Sequence, residues 1–335
     1  MIIWLLSLAS IVNSQQLYLQ KFNISLDDPP ETRWIPVLEC KKEQILNTYQ
    51  YIESLLSPIE RKLLSSLLIA SKVFPNEVIR EMESAANYLN VDLSLVHFAN
   101  FVNEMSSGCS SFLIQNSKNE IILGRNLDFF LGDFIRNQSV DLSFYRSGKL
   151  LYRSAAQAGY FGVSTGTKPG KFSITVNQRY LKDSSLIWNT LNLLSSSQIS
   201  GFSIRWALEN LESYNDAFNF FINVPFVVGE YICLAGLDQA AIITKNRRFA
   251  ADIRQIDEEN WFLVQTNSDH WLPQPKNDDR YNPAIKRIKG LGQRVMNEDF
   301  IFELMTIQPT YAPSTVLTVV SNPSTDYWFG VGWRK

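Results

Sequence analysis

The chain has 335 residues, 45% hydrophobic and 19% charged, with 31 Lys or Arg against 33 Asp or Glu and a formal net charge of −2. That composition is globular rather than disordered, and long enough for one large domain or two smaller ones. The near balance of charge gives no basic footprint for nucleic acid, no GxGxxG or GxxxxGKS/T run exists to cradle phosphates, and two histidines with no CxxC pair make a zinc site improbable on composition.

Residues 1–14, MIIWLLSLASIVNS, have the apolar centre and small-residue end of a secretory signal peptide cut after Ser14, although no Lys or Arg precedes the apolar run. A buried first strand is the alternative. No later run reaches the ~18 apolar residues needed to span a bilayer. The mature chain is therefore expected on the lysosomal or secreted route, which the sequons Asn23-Ile-Ser and Asn137-Gln-Ser fit. If Cys109 stays free, one bridge remains open among three cysteines, Cys40–Cys233.

Residues 40–106 read as mostly helical. Ser57-Pro58 supplies an N-cap and a first-turn proline ahead of IERKLLSSLLIASKVF, and NEVIREMESAANYL and DLSLVHFANFVNEM continue the helical spacing. Strands dominate after Cys109: FLIQ, EIILG, VDLSFYR and KLLYRSA, with Arg146-Ser147-Gly148-Lys149 as a hairpin turn. Helical segments follow near 184–221, strands at YICLAGL, AAIITK and WFLVQT, helices near 282–305, and a closing hairpin of VLTVVS with DYWFGV. Blocks of strands alternating with blocks of helices predict an α+β layered fold. The charge also divides at Gly108–Cys109: 15–108 carries eight Lys or Arg against twelve Asp or Glu, and 109–335 carries 23 against 21.

Cys109 begins the first strand of that second part, in SSGCSSFLIQNSKNEIILGRNLDFF. The polar turn at 116–120 predicts a β-hairpin, with Arg125 at the end of its second strand and Asp128 just beyond it. A cation beside a thiol favours the nucleophilic thiolate. On spacing alone, a buried structural cysteine with a surface Arg–Asp pair fits equally well.

Cys-Ser-Ser followed by GRNLDFF resembles the choloylglycine-hydrolase-like N-terminal nucleophile hydrolases, within them the acid ceramidase and N-acylethanolamine acid amidase family. KFNISLDDPPETRWIPVL at 21–38, TGTKPGKFSITVNQR at 165–179, WFLVQTNSDHW at 261–271 and DDR at 278–280 carry the resemblance further. FNISLDDPPETRW, ITKNR and ADI lie nearer the amidase branch. The resemblance implies an αββα sandwich, self-cleavage at Gly108–Cys109 into a helical α-subunit, 15–108, and a catalytic β-subunit, 109–335, and an α/β heterodimer made from one chain. The new α-amino group of Cys109, with a reference pKa of ~8, is then the general base. Asp128 is implied to orient Cys109, Arg125 to support the nucleophile and substrate carbonyl, Asn267 to help form the oxyanion hole, and Arg280 to brace the site. Simpler readings are a strand cap for Asn267 and a surface pair with Asp278 or Asp279 for Arg280.

The implied substrate is a lipid amide, an N-acylethanolamine first and ceramide second, with no cofactor required. Gln178 stands where the family pattern usually has glutamate, which puts an acid optimum in doubt because an amide does not titrate. Two other readings compete. One is a papain-like pair of Cys109 with His270, although no CGSCW-type signature is present. Another is a non-catalytic lipid-binding protein. His97 reads as a core or helix-face residue. The apolar run at 63–74 is either helix core or, by family analogy, a contact for lipid aggregates or a membrane surface.

Overall fold

The computed structural model describes residues 15–102, 107–129, 135–180 and 197–334. The signal-peptide reading and the helical reading of 184–196 lie outside them. Two strands come first, β1 Gln15–Tyr18 and β2 Gln20–Ser25, then helices α1 Ile35–Cys40, α2 Lys42–Glu53, α3 Pro58–Ala70, α4 Asn76–Leu89 and α5 Leu93–Val102. Strands β3 Ser107–Gln115, β4 Ile121–Phe129, β5 Ser139–Arg146, β6 Lys149–Gln157, β7 Thr165–Lys168 and β8 Phe172–Arg179 follow. Helices α6 Ser200–Asn210 and α7 Tyr214–Asn223 lead to β9 Gly229–Ala235, β10 Ala240–Lys245, β11 Ala250–Gln255 and β12 Phe262–Gln265. Helices α8 Tyr281–Leu291 and α9 Glu298–Met305 precede the closing hairpin, β13 Thr315–Asn322 and β14 Tyr327–Arg334.

The local chemistry explains where elements start and turn. Ser57 caps α3 in a reciprocal capping box with Glu60, satisfying two helix-end donors, and Pro58 needs no partner at the first turn. Ser147 and Gly148 both take positive φ, 52° and 72°, the requirement of a two-residue hairpin turn between β5 and β6.

The strands form two sheets, ordered β1-β14-β13-β4-β3-β12 and β11-β10-β9-β8-β7-β6-β5-β2. Helices α8 and α9 pack on the first, α6 and α7 on the second, and β3 and β4 face β8 and β9 across the interior. This is the expected αββα sandwich. Every residue of β8, β9 and β10 is buried, as strands covered on both faces require. The N-terminal helices extend the layer over the second sheet: Trp34 meets the Phe144 ring edge-on at 6.0 Å, and Phe74 meets Phe202 of α6 at 5.1 Å.

Three expectations change. The segment before Cys109 is not purely helical: β1 pairs antiparallel with β14 and β2 pairs parallel with β5, so it supplies one strand to each sheet. Strand β4 runs on to Phe129, placing both Arg125 and Asp128 inside it, because pairing with β13 continues to Thr315 opposite Asp128. No bridge joins Cys40 to Cys233. Cys40 is exposed, its thiol donating to Gln20 Oε1, whereas Cys233 is buried between the sheets among Leu113, Leu123 and Tyr231, with burial pushing its thiol up to about 11. Asn23 and Asn137 are both exposed. No helix among the described residues is long and apolar enough to cross a membrane.

Candidate active site

Cys109 lies in β3, with the Gly108–Cys109 bond inside the strand: Gly108 is paired with Asp128 and Cys109 with Leu127 across to β4. Alternation along β3 sends the Cys109 side chain toward the interior between the sheets, with Ser111 and Leu113 beyond it. The opposite face carries Gly108 and Asp128 toward the layer of α8 and α9. A Cβ at Gly108 would lie 3.2 Å from Asp128 Cβ, so Asp128 would have to give by a few tenths of an ångström to admit it.

Three of the four expected partners converge on Cys109. Arg125, two registers along β4, donates from a guanidinium nitrogen to Cys109 Sγ at 3.0 Å, and its other terminal nitrogen is held by Val176 O at 2.6 Å and Asn177 Oδ1 at 3.0 Å. Asn267, just past β12, accepts the Cys109 backbone N–H at its Oδ1, 2.7 Å, and donates from Nδ2 to Gln178 O at 2.8 Å. Arg280 donates to Cys109 O at 3.0 Å, Asp128 Oδ2 at 2.7 Å and Asn267 Oδ1 at 2.9 Å. It also grips Asp278 through two nitrogens, at 2.7 and 2.9 Å. One guanidinium, 4% exposed, thus holds Asp278 and reaches the Cys109 carbonyl at once.

Asp128 differs from expectation in its partners. Its carboxylate accepts from Thr315 Oγ1 at 2.6 Å and from Arg280, opposite Gly108. Burial raises its carboxyl above the ordinary value, with Arg280 and Thr315 opposing. Asn267 also differs, since its carbonyl rather than its amide faces Cys109 N. Two donors converge on Oδ1 and a carbonyl receives Nδ2, which assigns the amide orientation.

This cluster places a sulfur beside a cation, a backbone nitrogen at a defined acceptor, and a buried carboxyl across from Gly108. His270 does not join it. Its Nδ1 faces Asp252 Oδ2 at 3.8 Å, while Arg125 holds the Cys109 sulfur, so the papain-like pair is not formed. His97 is buried against Ser65 Oγ at 2.7 Å, as a core residue. Sequence reasoning missed Thr315, which carried no local signal, and Asn177, which stood unassigned inside VNQR although it bridges Arg125, Ser111 Oγ and Gln265 O. Gln178 is 6% exposed, and its Oε1 has no hydrogen-bond donor. Its cross-strand neighbour is the buried Glu230.

The family described as linear amide C–N hydrolases, choloylglycine hydrolase family, matches residues 109–285. A second, described as the beta subunit of N-acylethanolamine-hydrolyzing acid amidase, matches residues 19–73, so its lettering gives "beta" to the segment called α above. The N-acylethanolamine-hydrolyzing acid amidase of Rattus norvegicus is 31% identical over 89% of this chain and 84% of its own, and that of Caenorhabditis elegans 30% identical over 93% and 92%. Acid ceramidase of Homo sapiens is 28% identical over 89% and 82%. A solved structure of the Caenorhabditis elegans amidase aligns with TM-score 0.60 and 32% identity, covering 66% of this chain and 97% of that one. With the site geometry and these likenesses in agreement, the chain belongs to the choloylglycine hydrolase family of linear amide C–N hydrolases, in the branch of the N-acylethanolamine-hydrolyzing acid amidases and acid ceramidases.

Proposed function

We propose that the protein hydrolyses fatty-acid amides, N-acylethanolamines before ceramide, to a free fatty acid and an amine through a thioester on Cys109. The observation that carries this reading is the convergence of Arg125, Asn267 and Arg280 on the sulfur, nitrogen and carbonyl oxygen of one cysteine. A merely structural cysteine has no need of all three. The same convergence argues against a lipid-binding protein without catalysis.

Maturation comes first. Cys109 Sγ attacks the Gly108 carbonyl, the thioester forms as the peptide C–N bond breaks, and the nitrogen gains the proton lost by sulfur. Water then releases the Gly108 carboxylate and restores the thiol. The free amine of Cys109, held by Asn267 Oδ1, takes the thiol proton in each later cycle. The thiolate attacks the amide carbon of the lipid, the amine leaves with the proton, and water hydrolyses the acyl-thioester. Arg125 supports charge at sulfur, Arg280 and Asp128 brace the new terminus, and Asn267 helps form the oxyanion hole, where one donor contributes ~3 kcal/mol. Nucleophile, base and donors all come from the chain, so the reaction needs no cofactor.

Delivery through the secretory route, to lysosome or exterior, and modification at the exposed Asn23 and Asn137 belong to the same proposal. So does contact with lipid aggregates through α3, whose Leu64 and Leu68 are core while Ile59 and Leu63 are 81% and 63% exposed on the other side. A saturated N-acylethanolamine and a ceramide, assayed side by side in detergent, test the substrate. The N-acylethanolamine should turn over faster, and affinity should rise about fourfold per methylene until the pocket fills, from ~0.8 kcal/mol per CH₂. Faster ceramide turnover would reverse the order, and cleavage of peptides alone would defeat the lipid reading.

A further inference from the structure

Asn267 sits on a segment with no strand pairing of its own. Strand β12 ends at Gln265, in the first sheet, and residues 266–270 cross to the end of β8, in the second. Two contacts at consecutive β8 positions meet them there. Gln178 O receives Asn267 Nδ2, and Arg179 forms a two-pronged ion pair with Asp269, Nε to Oδ1 at 2.7 Å and a terminal nitrogen to Oδ2 at 2.9 Å. Asp269 Oδ1 also accepts Tyr231 OH at 2.6 Å, and the third Arg179 nitrogen donates to Asn246 Oδ1 at 2.6 Å. The guanidinium lies 5.7 Å from the Trp271 ring centre and 6.0 Å from that of Tyr231. Both charged side chains are mostly buried, 9% and 14% exposed, where a planar fork on a carboxylate fixes direction as well as distance.

We propose that Arg179 and Asp269 are positioning residues for the reaction: their ion pair ties the Asn267 segment to β8 and thereby holds Asn267 Oδ1 on the nitrogen of Cys109. This rests on the role given to Asn267 above. Neither residue touches the cysteine. Their effect is geometric, bridging the two sheets beside the 2.7 Å contact that spans from the loop to the nucleophile's nitrogen. Displacement of a reacting group by about 1 Å can cost on the order of a hundredfold in rate.

The test is a double-mutant cycle of Arg179→Gln, Asp269→Asn and both together, on cut enzyme with an N-acylethanolamine. Each single variant should lower kcat at least tenfold with KM within about twofold, and the double variant should be no worse than either, as for residues acting as one unit. Unchanged kcat, a rise in KM alone, or losses that multiply would overturn the proposal. Arg179→Lys, which keeps the charge but not the fork, should recover only part of the rate. If Arg179→Gln does not fold, Asp269→Asn and Tyr231→Phe carry the cycle. An arm without turnover separates this inference from the functional reading: hydrogen exchange at 266–269 in uncut Cys109→Ala protein. Exchange there should quicken with Asp269→Asn even if wild type cleaves no lipid. Unaltered exchange would contradict the latch itself.

Discussion

At Arg280 one guanidinium reaches the carboxylates of Asp128 and Asp278, the amide oxygen of Asn267 and the carbonyl of Cys109. Sequence spacing could name Arg280 but not say that one side chain holds them together, because Asp128 is 152 positions away in the chain. Gln178 was legible as a departure, and its surroundings set the consequence. Its Oε1 is buried without a donor, and Glu230 stands directly across the strands. Glutamate at 178 would place a second carboxylate opposite the first, and like charges directly opposite destabilise a sheet. Gln178→Glu should therefore cost about 1–3 kcal/mol at pH 7, the penalty for an uncompensated buried polar group, and recover most of it at pH 4.5 when a proton is gained. Urea unfolding of both proteins at the two pH values reads this directly, and equal stability at pH 7 would contradict it.

Helices were easier to see than strands. Ser57-Pro58 and the spacing of NEVIREMESAANYL marked α3 and α4 because capping and amphipathic period are local. Strands β1 and β2 gave no such signal: β1 is four residues long, and β2 is an edge strand whose partner, β5, lies more than a hundred residues on. Strand β8 hid its role differently, since its polar Thr175, Asn177, Gln178 and Arg179 are all buried, inverting the usual alternation. His97 on α5 yields a prediction at this scale. Burial lowers its imidazole to about 4, with Asp92 opposing. The unfolded chain then binds the extra proton between about 6.5 and about 4, so stability is full above that window and falls as pH drops through it. At pH 4.5 the loss should reach up to about 3 kcal/mol. Unfolding curves of His97→Gln should lack that component, and an identical pH dependence in both proteins would refute it.

For the molecule as a whole, cutting Gly108–Cys109 need not release the first segment, because that segment owns a strand in each sheet and half of a buried ion network. Glu81 is fully buried between Arg33, at 3.1 Å, and Arg205 of α6, at 2.5 and 2.8 Å, so the network spans the cut. Glu81→Gln removes the carboxylate shared by two buried cations, leaving Arg33 with Glu77 and Arg205 with Glu209 alone, a loss of at most about 3–5 kcal/mol. The cut variant should shed its N-terminal segment on size exclusion in dilute denaturant that leaves wild type intact; equal retention would argue that the strands alone suffice. The catalytic reading depends on Cys109 becoming a chain end. Intact-mass analysis of purified, acid-incubated wild type beside Cys109→Ala tests that most directly. Wild type should resolve into two chains divided at Gly108–Cys109 while Cys109→Ala stays whole, and an uncut wild type that still hydrolyses amides would contradict the account.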